Sequence, residues 1–179
     1  DKPMAPAKDP GISAIVSQVP FVDGLSTLGV LGPAYTLKAL LAGCRDLGRV
    51  LTFRPPYCVP VVEEPEVFGL MNRPDSKSGY LAIVPEDSSW KNECPARIML
   101  SVTFYRPLSF ASKVKCPAFV LLAEKDSLIP AKAVERFAAK MPRAEVVRVP
   151  LGHFDVYLGE PFEETAKLEA DFLEKHLLR

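Results

Sequence analysis

Net charge is the first thing that this sequence lacks. Its 179 residues contain 22 basic and 22 acidic side chains, and its pI is near 6.9. A chain with no surplus charge has no electrostatic preference for nucleic acid or for an anionic membrane as its main partner. No apolar run approaches the roughly 18 residues of a membrane-spanning helix, because Asp23, prolines and glycines interrupt the longest apolar-rich stretch, 11–37. We therefore expect no nucleic-acid partner and no membrane span.

Paired cysteines and clustered histidines are missing as well. No C-x-x-C pair occurs, and the only histidines are His153 and His176, so zinc ligation at the usual spacing has little support. The sequence favours buried free thiols in a reducing, cytoplasmic compartment over disulfides, although it leaves both open. The four cysteines are Cys44, Cys58, Cys94 and Cys116.

An initiating methionine and a leader segment are also absent. The sequence starts at Asp1 with no basic-plus-apolar signal segment, which favours a processed product or a piece of something longer. What is present is ordinary for a folded protein, with 48% apolar and 25% charged residues. The length alone is enough for one domain with a core, since domains commonly have about 100–200 residues.

The last third of the chain has the clearest pattern. A continuous apolar run at 118–123 predicts a strand that is covered on both faces, and 144–149 predicts a second strand. A helix is predicted after Pro130, and another over 160–177. The predicted buried positions are Val134, Phe137, Ala138 and Met141 in the first helix, and Phe162, Ala166, Ala170, Leu173 and Leu177 in the second. Strand, helix, strand and helix with short connections predict right-handed crossovers and a parallel sheet, so the fold class is α/β.

The earlier part of the chain contains one further strand and a proline-rich block. The β-branched run 11–19 predicts a buried strand that Pro20 ends. In the block that follows, 37–41 and 47–53 are predicted helix pieces. Asn92 is predicted to cap a helix that runs through Arg97 to Met99. The block therefore predicts a packed set of short helices.

Two residues that can do chemistry follow the two late strands. Asp126 comes just after the first, and His153 lies in the loop after the second. Reactive groups gather at the carboxyl ends of parallel strands, where a carboxylate can accept from imidazole Nδ1–H, fix the tautomer and stabilise the imidazolium. Taken singly, Asp126 is as well explained as a turn cap, and His153 as a structural histidine. Their joint placement favours an acid–histidine pair.

Several other residues are weaker candidates. Asp23 follows the first strand and is an alternative acid, whereas Asp155 is expected to hydrogen-bond within its own loop. His176 ends the last helix, where a cation suits the helix dipole. Candidates for lining a substrate pocket, each with ordinary packing as its alternative, are Phe68, Leu70, Met71, Tyr105 and Arg106.

A family resemblance covers the whole chain. AEKDSLIP at 123–130 and LGHFDVYLGEPFE at 151–164 resemble the end of an α/β-hydrolase, and the proline-rich block resembles the cap of that fold. PFVDG at 20–24, GLMNRPDSKSGY at 69–80 and FYRP at 104–107 resemble the dienelactone-hydrolase-like fungal enzymes, which include polyketide transferases and hydrolases of secondary metabolism. The resemblance implies a core strand at 1–20, a mostly helical cap at 21–110 and the C-terminal part of the hydrolase core at 111–179.

The resemblance also implies a mechanism that this chain does not complete. Asp126 matches the triad acid and His153 the triad base, with no cofactor, and the substrate would be an apolar ester, thioester or lactone. None of the eleven serines lies in a G-x-S-x-G elbow. We therefore expect the C-terminal part of a hydrolase or acyltransferase, inactive alone. Its missing N-terminal half, or a partner, would be needed to cover the exposed edge of the sheet. The alternative is a truncated, non-catalytic protein or interaction module.

Overall fold

Two units share the chain, and one is inserted in the sequence of the other. The first consists of residues 4–23 and 106–178, and the second is Gly24–Tyr105. The structure is a computed structural model that describes residues 4–178, except for the side chains of residues 28–30. The insertion was predicted at 21–110, and its role as a cap stays a prediction. Among the helices of the described residues, none combines the length and the apolar character that crossing a bilayer requires.

A three-stranded parallel sheet forms the centre of the first unit, as the sequence predicted. Its strands are β1 (Ile15–Gln18), β4 (Ala118–Ala123) and β5 (Ala144–Val149), in the order β1-β4-β5. All six residues of β4 are buried because it is the central strand and an apolar cluster covers each of its faces, and this burial explains its uniformly apolar sequence. In the register, Ile15 lies opposite Ala118, which lies opposite Ala144.

Alternate residues of β4 belong to two apolar clusters. Ala118, Val120 and Leu122 belong to the cluster that contains α5 (Ala131–Ala139). Phe119, Leu121 and Ala123 belong to the cluster that contains Phe172 of α6 (Gly159–Leu177). The predicted helix stripe is correct for α5, and Met141 just beyond the helix is buried with it. Short 3-10 helices lie at Ala5–Ala7, Pro107–Ser109, Ala111–Lys113 and Asp155–Tyr157.

The buried face of α6 differs from the predicted one. Phe162 and Leu177 are 43% and 49% exposed, whereas Thr165 and Phe172 are buried. The ring of Phe172 packs on Phe119 with centroids 5.5 Å apart, and this contact sets the rotation of the helix. Thr165 is tolerated inside because its hydroxyl donates to a main-chain carbonyl one turn earlier, at 2.9 Å.

The second unit is mostly helical. Its helices are α1 (Gly24–Leu31), α2 (Pro33–Leu51), α3 (Ser76–Ala82) and α4 (Ile98–Val102), and β2 (Cys58–Val59) pairs antiparallel with β3 (Cys94–Pro95). The two predicted helix pieces are parts of one helix, α2, because Gly43 and Gly48 do not interrupt it. At Gly43 an added Cβ would lie 2.5 Å from Leu100 Cγ, so glycine permits the close approach of α2 and α4.

Two polar side chains tie the irregular segments of the second unit together. The amide of Asn92 accepts from the main-chain N–H groups of Val61 and Val62, at 3.0 and 2.9 Å. The prediction that Asn92 caps a helix is wrong, because β3 separates it from the start of α4. Asp46 is fully buried in α2, where its carboxylate accepts from the main-chain N–H groups of Tyr57 (2.7 Å) and Arg97 (3.0 Å).

Candidate active site

The loops that follow β4 and β5 are held side by side. Beyond the ends of the strands, Glu124 N–H donates to Val149 O at 2.9 Å and Lys125 N–H donates to Leu151 O at 3.0 Å. These bonds continue the parallel ladder into the two loops. Because the carboxyl ends of neighbouring parallel strands lie at one edge of the sheet, the residue after Lys125 faces the loop that follows Leu151.

Asp126 occupies this position and uses both oxygens of its carboxylate. Oδ1 accepts from the main-chain N–H groups of Leu128 and Ile129, each at 2.8 Å. Oδ2 lies 2.7 Å from His153 Nδ1. The side chain is only 4% exposed, so little water competes for these contacts. Turn capping and pairing with histidine were alternatives in the sequence, and the structure shows both in one side chain.

The contact with Asp126 defines the tautomer of His153. An ionised carboxylate can only accept, so Nδ1 carries the proton and Nε2 has the lone pair. The imidazole is 16% exposed and packs edge-on against Phe154, with centroids 4.9 Å apart. Asp155 Oδ2 accepts from Gly152 N–H at 2.7 Å, as expected of a loop hydrogen-bonder, and closes the turn around His153. The arrangement can take a proton at Nε2 and stabilise the resulting imidazolium.

Two aromatic neighbours of His153 were not recognised in the sequence. Phe154 is buried, and the ring of Tyr157 lies 6.5 Å from that of His153. Burial raises the pKa of Tyr157, and the negative charges of Asp126 and Glu169 raise it further, so the phenol stays neutral. The sequence signal that could have identified them is the spacing of aromatic residues within GHFDVY at 152–157.

The other candidates in the first unit have structural contacts. Asp23 is buried, and its Oδ1 accepts from Arg106 Nε at 2.7 Å. The carboxylate that contacts His153 is therefore that of Asp126, whereas Asp23 forms an ion pair with Arg106. His176 Nε2 lies 3.2 Å from Glu145 Oε1 at the end of α6.

The predicted substrate-binding residues Phe68, Leu70, Met71 and Tyr105 lie in the second unit, whereas Arg106 lies in the first. Phe68 is half-buried, with its ring 5.4 Å from that of Tyr35. Met71 is half-buried, and its main chain bridges to Val62. Tyr105 is half-buried, and burial raises the pKa of its phenol. Their role in binding substrate stays a prediction.

Metal ligands and disulfides are not part of this site. Within residues 4–178, no group of three or more His, Cys, Asp and Glu side chains is placed to hold a metal ion. The four cysteines are free thiols, but the prediction that they are buried is wrong. Cys44 and Cys58 are exposed on α2 and β2, whereas Cys94 and Cys116 are half-buried and pack against the apolar clusters.

The chain resembles several known proteins over nearly its full length. It is 35% identical over 170 residues to the quorum-quenching protein AidA of Acinetobacter baumannii, covering 94% of this chain and 56% of AidA. The α/β hydrolase GrgF from Penicillium superposes with a TM-score of 0.72 at 18% identity, covering 99% of this chain and 60% of GrgF. DcsB, solved with its substrate analogue, gives a TM-score of 0.80 at 17% identity, covering 99% and 61%. No family model matches the sequence.

These likenesses establish the fold. The chain has the α/β-hydrolase fold, as its sequence resemblance predicted, with the β1-β4-β5 sheet as its parallel core. It spans 56% of AidA and 60–61% of the two solved structures.

Proposed function

We propose that this chain carries the acid–base pair of a hydrolase that cleaves an apolar ester, thioester or lactone. The observation that carries the proposal is the 2.7 Å contact between His153 Nδ1 and Asp126 Oδ2 at the carboxyl edge of a parallel sheet. The sequence similarity to a quorum-quenching protein supports a quorum-sensing signal as one such substrate. Polyketide acyl transfer, which the sequence resemblance implies, stays a prediction.

In the proposed reaction, His153 moves the protons. Nε2 takes the proton from a serine or cysteine as that nucleophile attacks the acyl carbonyl, and Asp126 stabilises the imidazolium that forms. The imidazolium then gives the proton to the departing alcohol or thiol, which leaves an acyl-enzyme. Nε2 next deprotonates a water molecule, which attacks the acyl group and releases the acid and the free nucleophile.

The nucleophile is proposed to come from a part of the protein that this sequence does not contain. No G-x-S-x-G elbow occurs in the chain. Ser17 lies inside β1 and is buried, with no hydrogen-bond partner for its Oγ among the described residues, so it is not on an exposed turn. In the sheet of the described residues, β1 pairs only with β4, and its other edge would bind the missing half or a partner.

Ester hydrolysis tests the proposal, and the chain's other histidine supplies the control. The chain alone is expected to hydrolyse p-nitrophenyl butyrate no faster than background. Adding the upstream half, or expressing both as one protein, should give turnover that His153→Ala abolishes and His176→Ala leaves unchanged. His153-dependent turnover by the chain alone, or equal loss in both variants, would contradict the proposal.

The coding sequence upstream of Asp1 separates this proposal from a non-catalytic protein. We expect a G-x-S-x-G motif, or its cysteine version, within about 30 residues before Asp1. A genuine start codon near Asp1 would instead support the truncated protein or interaction module.

A further inference from the structure

A cavity of about 340 Å³ lies within the second unit, and neither Asp126 nor His153 is among the residues that line it. Its walls come from the start of α2, from the loop 65–68 and from the segment 72–74. Its volume falls within the range of small-molecule sites, which are mostly apolar with a few placed polar groups. Every lining residue belongs to the second unit.

The loop that forms one wall is fixed by side chains. The Tyr35 hydroxyl, from α2, donates to Gly69 O at 2.5 Å. Asn72 Nδ2 donates to Pro65 O and Val67 O, each at 3.2 Å, and so closes the loop on itself. A wall fixed in this way loses little freedom when a ligand binds, which favours affinity.

The backbone of Arg73 is fixed as well. Its N–H donates to Ser76 Oγ at 3.0 Å, and its carbonyl accepts from Ser76 N–H at 2.9 Å. Ser76 is fully buried at the start of α3, so this reciprocal pair anchors Arg73 at the cavity. Burial raises the pKa of Tyr35 to about 12, although the nearby Arg73 charge lowers it, so the Tyr35 phenol is neutral.

The lining combines an apolar surface with an excess of positive charge. Phe68 and Tyr35 lie with ring centroids 5.4 Å apart, and Val67 and prolines extend the apolar wall. The charged groups are two cations, Lys38 and Arg73, against one carboxylate, Glu66. We propose that this cavity is a binding site for a small amphipathic carboxylate, whose apolar body packs on Phe68 and whose carboxylate pairs with Arg73 and Lys38. The arginine fork suits a carboxylate because it can form two parallel hydrogen bonds.

Calorimetric titration of the unmodified chain with octanoate and with octylammonium tests this site. The two probes share their apolar chain and differ in the sign of the head group. Octanoate is expected to bind at least about tenfold more tightly, since a charge-assisted hydrogen bond contributes about this much. Equal affinity, or tighter binding of octylammonium, would overturn the proposal without any variant.

Two variants locate the binding. Arg73→Gln is expected to weaken octanoate binding about tenfold, whereas Arg54→Gln, which changes an exposed arginine outside the cavity, should change it less than about twofold. Unchanged octanoate affinity in Arg73→Gln would contradict the assignment. The readout is binding and not ester turnover, so failure here and failure of the proposed hydrolase function are separate results.

Discussion

Replacing Asp46 tests how the second unit is held together. Its carboxylate is fully buried and accepts from Tyr57 N–H at 2.7 Å and from Arg97 N–H at 3.0 Å, and Arg97 Nε lies 3.2 Å away. Asp46→Ala leaves both main-chain donors without an acceptor. Each such loss costs about 1–3 kcal/mol, at the lower end here because Tyr57 is partly exposed and Arg97 half-exposed. The better helix propensity of alanine offsets about 0.5 kcal/mol. We therefore expect a net loss of about 1.5–2.5 kcal/mol.

The effect should also depend on pH. Burial by itself would raise the pKa of Asp46, but the donated N–H groups of Arg97 and Tyr57 and the charges of Arg97 and Arg49 hold it below its ordinary value. For a lowered carboxyl pKa, the stabilisation is present above the unfolded-state pKa of about 4 and is lost as the pH falls through the folded-state value. Asp46→Asn, which keeps the shape but cannot ionise, should therefore be less stable than the wild type near neutral pH and approach it in acid.

Urea unfolding provides the assay. Trp90 is the single tryptophan of the chain and lies in the second unit, with its ring 5.2 Å from that of Tyr80, so its fluorescence reports on this unit. Far-UV circular dichroism of the folded variants checks that the helices remain. A free energy of unfolding for Asp46→Ala within about 0.5 kcal/mol of the wild type would refute the reasoning. So would a difference between the wild type and Asp46→Asn that does not change from neutral to acid pH.

Three further outcomes are expected. Phe172→Ala should destabilise the first unit by about 3–4 kcal/mol in urea unfolding followed by circular dichroism, because Phe172 is 4% exposed; a loss below about 1 kcal/mol would contradict its core role. Gly24→Ala should cost about 1–3 kcal/mol, because the added Cβ would overlap the carbonyl oxygen of Val102; unchanged Trp90 unfolding would contradict this. With a thiol reagent, the exposed Cys44 and Cys58 should react first, since burial raises the pKa of the other two thiols; uniform rates would contradict that order.

The sequence predicted the parts of the fold whose signals are local. The apolar run of β4 and the helical spacing of apolar residues in α5 predict burial from neighbouring residues alone. Together they predict the parallel sheet. The rotation of α6 could not be predicted, because it depends on where Phe172 meets Phe119, a contact 53 positions apart in the sequence. The role of Asn92 was likewise set by partners some 30 positions earlier, Val61 and Val62.

The pair of Asp126 and His153 could be predicted from the sequence for a topological reason. Asp126 and His153 each follow a parallel strand, and neighbouring strands bring such positions together whatever the intervening sequence. The aromatic contacts of His153 and the ion pair of Asp23 with Arg106 depend on side-chain packing that periodicity does not encode.

The most direct test of the central claim, that Asp126 orients His153 as a general base, compares two acids. In the protein that includes the nucleophile, kcat/KM for p-nitrophenyl butyrate would be measured for Asp126→Asn and Asp23→Asn. Asparagine at 126 keeps an oxygen that can accept from Leu128 and Ile129, so the turn remains while Nδ1 loses its carboxylate partner. We expect Asp126→Asn to lower kcat/KM about 10³–10⁴-fold and Asp23→Asn to lower it far less. A large loss in Asp23→Asn with activity retained in Asp126→Asn would contradict the account.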